Sequence, residues 1–528
     1  MSIPASHDPG PAPRIGRVRR VRAALLAAWR VQYVRRGFYG TLLIGLGALS
    51  PAYLPLSSPF WALFANAQSL ATSPPVKVVG TALTMVGALL LVDAWFRLRP
   101  PEGDRVAYGA VLAIWAVPFV LAPPIFSHDA YAYAAQGWLL HNGINPYDVG
   151  PGFLPGAFAD QVDWIWRMSP APYGPLSLRI SHLLVVLVGF RPYLAAWAMR
   201  APAMLGVVLI VILLPRLARR MGLDDRDTWW FSVLNPMLVI SFIGGAHNDA
   251  LMMGLVVVGL WLASWPGPAR WTWSRGWWWL AGAAVIGVGV AVKQPALLAA
   301  YALPLIGRGW ADWSRREVLI AAGRVLASFA VTLGTFALIT WATRLGYGWI
   351  HSIGVPGRNT TPAPFTMLGH AINGVLDLIH PGVVHTAVPV TQDVGIGIGA
   401  VILAVLALTV ARRAPLTFLA FGYFAAALVG PSLRTWYVQW SVTLAPLAGL
   451  RWFMTKVAVW GSLVMLGFDA VEMAMRNSSP GLTTPVAISV ATMVAFAWLA
   501  WTHDPWVERR ALRRGDRAAH AVATAHRG

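Results

Sequence analysis

Apolar stretches long enough to cross a bilayer recur from residue 38 to residue 501, divided by short polar turns. About 20 apolar residues span the hydrocarbon core, and there every backbone polar group needs an internal partner. Stretches of this kind therefore become helices. The candidates are 38–56, 76–96, 108–126, 193–215, 229–244, 250–265, 277–292, 295–307, 318–344, 393–411, 415–430, 437–450, 456–473 and 484–501. The expected fold is thus all-α and polytopic, with about 14 spans, several of them short. Only 12% of the residues are charged and mean hydropathy is +0.59. A soluble domain carries about 25% charge, so a soluble enzyme and a disordered chain are both excluded. Cys is absent, which removes disulfides, thiolate metal sites, iron–sulfur clusters and cysteine nucleophiles.

The net charge is +20, and the basic residues are almost all Arg, with Lys only at Lys77, Lys293 and Lys456. They gather at the chain ends and in alternate short loops, which suits membrane orientation better than nucleic-acid binding. The N-terminal arm, 1–36, is Arg-rich and lacks the short apolar core and small-residue cleavage pattern of a signal peptide. The basic tail, 502–528, matches it. Arg97, Arg99 and Arg105, Arg216–Arg220 and Arg412–Arg413 mark inner loops. The loop 127–173 holds Arg167 against Asp129, Asp148, Asp160 and Asp163, and so reads as outer. Both termini are then cytoplasmic and the number of spans is even. The domain organisation is an arm (1–36), a transmembrane domain (37–501) with outer loops 127–192 and 345–392, and the tail. Residues 174–190 are apolar but contain Arg179 and His182, and a span there would invert the charge pattern. They read as an interfacial or re-entrant helix on the outer side.

Ionisable residues near membrane depth are functional candidates. Four groups stand out. Asp129 follows a span directly, and Tyr131, Tyr133 and Gln136 come after it. A carboxylate beside aromatic rings suits a general base or a sugar-hydroxyl binder; equally, Ser127 and Asp129 suit a helix cap. His247, Asn248 and Asp249 follow two glycines at a turn, where Asn and Asp also serve as turn and cap residues. They lack the spacing of a metal site. Lys293, with Gln294 and the helix-breaking Pro295, lies deep in apolar sequence. A buried lysine requires an anion, and a lipid phosphate is the natural one; snorkelling to the interface is the other reading. Arg434 precedes Trp436, Tyr437 and Trp440, a set suited to phosphate and sugar faces or to an interfacial aromatic belt. Asp469, Glu472 and Arg476 read as a surface ion pair. No P-loop, dinucleotide fingerprint or HExxH occurs, so any donor arrives already activated.

Together, SHDAYAYAAQGWLLHNGINPYDVGP, PAPYGPLSLRISHLL, GGAHNDALMMGLVVVGLWL, VKQPALLAAYALPL and SLRTWYVQW resemble the polytopic GT-C glycosyltransferases that use polyprenyl phosphosugars. The similarity is greatest to the actinobacterial α-1,6-mannosyltransferases of the MptA/MptB type, and it covers most of residues 38–500. The resemblance implies a GT-C fold in the plasma membrane with an outward-facing site. The implied donor is polyprenyl phosphate mannose and the implied acceptor a lipid-linked mannan, extended with inversion in lipomannan and lipoarabinomannan synthesis, with no metal or other cofactor. It places Asp129 as the base. Tyr131, Tyr133 and Gln136 would shape the acceptor side, and His247, Asn248 and Asp249 would bind sugar hydroxyls. Lys293, Gln294, Arg434, Trp436 and Tyr437 complete the expected substrate-binding set, with Lys293 and Arg434 on the lipid phosphate by chemical inference. Asp249 as the base, an α-1,2-mannosyl or arabinofuranosyl transferase of the same class, and a polyprenyl-lipid flippase or transporter are the alternatives.

Overall fold

The computed structural model describes residues 17–58, 60–61, 67–100, 106–265, 278–306, 310, 312–358, 361–381, 386–449 and 452–503. The expected basic tail beyond residue 503, and Arg105 of the inner loops, lie outside the described residues. Among the described residues the fold is helical, with one isolated bridge between Ser479 and Leu482 and no strand.

Six helical stretches are long and apolar enough to cross a membrane by length and composition: Pro74–Arg97, Pro192–Arg220, Arg315–Thr343, Ala387–Thr409, Met454–Asn477 and Thr484–Thr502. Leu238–Gly244 and Asp249–Ala263, bent by 110°, add a seventh if they form one broken span. This falls short of the 14 read from the sequence, and the reason is helix length. Tyr108–Leu121 and Pro415–Val429 have 14 and 15 residues. At 1.5 Å per residue they reach about 22 Å, less than the ~30 Å hydrocarbon core. Others are broken. The stretch 229–244 divides into two π-helical turns, Trp229–Val233 and Leu238–Gly244, around Asn235 and Pro236. The stretch 295–307 is a series of short turns beginning at Gln294–Leu297.

Basic residues gather at one end of the helices. Lys456, Arg99 and His503 converge at one end, and the basic helix Arg17–Arg30 packs near Tyr108 and Arg226. At the other end of helix Tyr108–Leu121 the chain turns into Asp129. Asn477 there accepts from the Ala52 amide at 3.1 Å and donates to Thr81 at 3.0 Å. Helices approach closely where side chains vanish. A Cβ on Gly40 would lie 2.7 Å from the Gly87 carbonyl, which welds Gln32–Gly47 to Pro74–Arg97.

Residues 174–190 do form a helix, Pro175–Leu187, that leaves Leu183 and Leu187 exposed. It packs on helix Asp129–His141, and Arg179 donates to the carbonyl of Thr343 at the end of a long helix. Within the expected loop 345–392 lies another helix, Pro364–Ile379.

Candidate active site

Three breaks in helical structure bring the polar residues together. The first follows helix Tyr108–Leu121, where Phe126 takes φ 55°. The second is the turn 245–248, with Ala246 at φ 58°. Left-handed backbone at non-glycine residues costs of order 1–3 kcal/mol and concentrates at functional sites. The two breaks are tied, because Ile125 N–H donates to Gly244 O at 3.1 Å. Buried Arg200 adds bonds to the carbonyls of Pro123 (2.7 Å) and Gly244 (3.1 Å), satisfying groups that the broken helices leave open. The third break is at Lys293, where extended backbone separates Trp278–Val292 from Gln294–Leu297.

Asp129 opens helix Asp129–His141 and is 6% exposed. Ser127 Oγ accepts from its backbone N–H at 3.0 Å, so Ser127 does the capping. The Asp129 carboxylate is turned elsewhere. Tyr133 Oη donates to its Oδ2 at 3.4 Å, and His247 Nδ1 lies 3.5 Å away. That separation is long for a hydrogen bond, and neither His247 ring nitrogen has a hydrogen-bond partner. The imidazole is held by stacking on Trp436, with ring centroids 3.6 Å apart. Burial alone would raise the Asp129 carboxyl. The adjacent His247, then the charges of Lys293 and Arg434, outweigh it and hold the group below its ordinary range.

Asp249 is fully buried and occupied. Its Oδ2 lies 2.7 Å from Lys293 Nζ, and Trp440 Nε1 donates to its Oδ1 at 2.7 Å. The anion that Lys293 requires is therefore already supplied by the protein. The Lys293 ammonium also lies 4.7 Å from the Tyr437 ring centroid and 5.7 Å from that of Tyr173.

Beyond Lys293 runs a cavity of about 630 Å³. Pro172, Tyr173, Ile353, Pro356 and Gly430–Ser432 line it. Leu298, Tyr301, Phe329, Leu403, Ala407 and Phe418 line it as well, from apolar helices. Lys293, Gln294, Tyr437 and Trp440 also line it. A separate polar pocket is lined by His128, Asp129, Trp166, Arg434, Trp436, Asp469, Glu472 and Arg476, and shares no residue with the apolar cavity.

Most residues expected at the site meet here: Asp129, Tyr133, His247, Asp249, Lys293, Arg434, Trp436 and Tyr437. Tyr131 does not. It is on the opposite face of its helix, and its hydroxyl donates to Tyr53 O at 3.3 Å. Gln136 is buried with its Oε1 unpartnered, and no hydrogen bond joins it to the cluster. Asn248 turns to Ser177 Oγ at 3.2 Å, and Gln294 donates to Pro172 O at 3.3 Å. Arg434 lines the polar pocket and donates to Glu472 at 3.1 Å.

Of the expected surface ion pair, the contact between Glu472 and Arg476 forms, at partly exposed side chains. Asp469 is buried, Glu472 takes Arg434, and Arg476 pairs with both Asp163 and Glu472. His128 adds a contact to Asp163 at 2.9 Å, while its Nε2 faces Ala52 O at 2.7 Å. The sequence analysis left Tyr173, Trp440, His128 and Asp163 out of the site. The signal for two of them was present: His128 adjoins Asp129, and Asp163 is an acid in an Arg-poor outer loop.

Among the described residues no three His, Asp or Glu side chains gather as metal ligands would. What the arrangement offers is a buried carboxylate, a polar pocket on it, and a buried cation in the wall of an apolar cavity. With its apolar helices, this is a multi-pass membrane protein that holds a polar cluster beside an apolar cavity. A family model described as "Alpha-(1->6)-mannopyranosyltransferase, N-terminal domain" matches residues 34–312. An alpha-(1->6)-mannopyranosyltransferase of Mycobacterium tuberculosis is 29% identical over 525 residues, covering 89% of this chain and 87% of that protein. Alpha-(1->6)-mannopyranosyltransferase A of the same organism is 30% identical over 514 residues, covering 92% of each. The crystal structure of apo Archaeoglobus fulgidus oligosaccharyltransferase overlaps 80% of this chain and 55% of that one, with 13% identity and a TM-score of 0.33; nothing further rests on it. The chain belongs to the alpha-(1->6)-mannopyranosyltransferase family. It is a membrane glycosyltransferase that transfers mannose.

Proposed function

We propose that the mannose comes from polyprenyl phosphate mannose and is added, with inversion, to a lipid-linked mannan on the outer face of the plasma membrane. The observation that carries this reading is the apolar cavity with Lys293 in its wall. A polyprenyl chain needs a long apolar bed, and its phosphate needs a cation at one end. Lys293 is shared with Asp249 before the donor binds, so the phosphate would compete for a lysine whose charge is already maintained. Stabilising charge as the phosphate departs is the larger catalytic contribution expected of such a group. The GT-C architecture, with both termini cytoplasmic, is supported by basic residues at one end of the helices and Asp129 at the other.

In the reaction, Asp129 takes the proton of the acceptor 6-hydroxyl while that oxygen attacks the anomeric carbon. The bond from that carbon to the phosphate oxygen breaks, and the lipid phosphate leaves on the opposite side. Asp129 later loses the proton to water. Asp129 suits this role because its carboxylate is ionised and lines the polar pocket, whereas Asp249 is engaged on both oxygens. No metal or cofactor enters the scheme.

The donor assignment is tested by supplying purified protein with either polyprenyl phosphate mannose or GDP-mannose and an α-1,6-mannoside. Extension from the lipid donor alone supports the reading. Extension from GDP-mannose alone overturns it.

A further inference from the structure

We propose that the polar pocket beside Asp129 is the subsite for an acceptor hydroxyl, with Asp469 as its hydrogen-bond acceptor; this rests on the transfer reading above. Two orphaned atoms carry the inference. Asp469 is 4% exposed and its Oδ2 has no hydrogen-bond partner. Trp436 is 7% exposed and its Nε1 is likewise unpartnered. Both residues line the same pocket. Buried polar groups without partners are uncommon and ask for an explanation. Here one is an acceptor and the other a donor. A hydroxyl group is both at once and satisfies the pair.

The charge around the pocket points to a neutral ligand. Asp129, Asp469 and Glu472 face it, against Arg434 and Arg476. Both arginines are already committed, Arg434 to Glu472 at 3.1 Å and Arg476 to Asp163 and Glu472. With both arginines paired, the pocket has no cation set aside for a phosphate, whereas a sugar hydroxyl needs none. The room is about 30 Å³, enough for a water or one hydroxyl-bearing carbon but not for a hexose ring. The ring would therefore rest at the rim beside Trp166, with one hydroxyl reaching inward. The pocket's separation from the apolar cavity suits inversion, which requires acceptor and leaving group on opposite sides of the reacting carbon.

The test is equilibrium binding of an α-1,6-mannobioside to the full-length protein in detergent, without donor, for wild type and Asp469→Asn. Monodeoxy analogues of the disaccharide are measured in parallel. Binding of polyprenyl phosphate, which reports on the apolar cavity, serves as the folding control. Leaving a buried polar group without its partner is worth roughly a fivefold to hundredfold change in affinity. We expect Asp469→Asn to weaken the mannobioside at least tenfold and polyprenyl phosphate less than twofold. One deoxy analogue should bind wild type equally poorly and lose nothing more in the variant. If every deoxy analogue binds wild type within twofold of the parent, or the variant binds the mannobioside normally, the pocket holds only water and the proposal is wrong. If the variant fails the folding control, the deoxy series on wild type decides alone. If wild type itself does not bind polyprenyl phosphate, the donor assignment fails, and the deoxy series on wild type still decides this proposal.

Discussion

Lys293 Nζ lies 2.7 Å from Asp249 Oδ2, and the two residues are 44 positions apart. Each comes from a point where a helix breaks, so neither side chain is held by its own helix alone. The pair divides the roles of the two carboxylates in the cluster. Asp249 keeps the cation in place, and Asp129 remains open to the polar pocket.

Removing one member of a buried pair strands the other charge, at about 3–5 kcal/mol. Asp249→Asn should therefore lower the thermal midpoint sharply. Asp249→Leu combined with Lys293→Met should recover much of that loss, since packed apolar replacements of buried pairs are often neutral or better. The double variant should still fail to bind donor. Unfolding midpoints in detergent, alongside donor binding, check this. A double variant that binds donor normally would remove Lys293 from the donor site.

The apolar cavity gives a steric prediction. Ala426 lines it and is half-buried. Ala426→Trp should raise the donor KM at least tenfold and leave the acceptor KM within about twofold, because the new ring occupies the bed without touching Asp129. Overpacking costs typically about 1–3 kcal/mol, so the variant should remain folded. Equal changes in both constants would argue against a separate lipid bed.

The outer loop carries a pH dependence. Burial would raise the Asp163 carboxyl, but His128, then Arg476 and the Ile165 amide, hold it well below the ordinary range. The folded state thus binds this proton less readily than the unfolded chain. Its contribution to stability is complete above the unfolded value of about 3.9 and is lost as pH falls below it. The midpoint difference between wild type and Asp163→Asn should be greatest near neutrality and narrow below about pH 4. A difference that stays constant across the range would sink this assignment. The same sign applies to Asp129. The acid limb of turnover should lie below the usual carboxylate pKa.

Much of this was legible in the sequence because it depends on local composition. Long apolar runs give helices, and the split of Arg from Asp gives orientation. Six or seven candidate spans among the described residues stand beside the 14 expected, because apolar length alone does not separate a crossing helix from a short one buried in protein, as at Tyr108–Leu121. Tyr131 was misplaced through spacing. At 100° per residue it stands about 200° from Asp129, whereas Tyr133 returns to within about 40°. Pairings such as Asp163 with Arg476, 313 positions apart, leave no local trace. Asp469 was read as half of a surface pair because i,i+3 spacing with Glu472 says nothing of what covers that face.

The central claim is that Asp129, and not Asp249, is the base. Single-turnover transfer from polyprenyl phosphate mannose to an α-1,6-mannoside, with Asp129→Asn and Asp249→Asn measured beside wild type at saturating donor, tests it most directly. Loss of a general base costs about 10²–10⁴ in rate. The account predicts that loss for Asp129→Asn with donor binding retained, and for Asp249→Asn a defect dominated by donor affinity and stability. Near-normal turnover by Asp129→Asn together with an inactive, folded, donor-binding Asp249→Asn would contradict it.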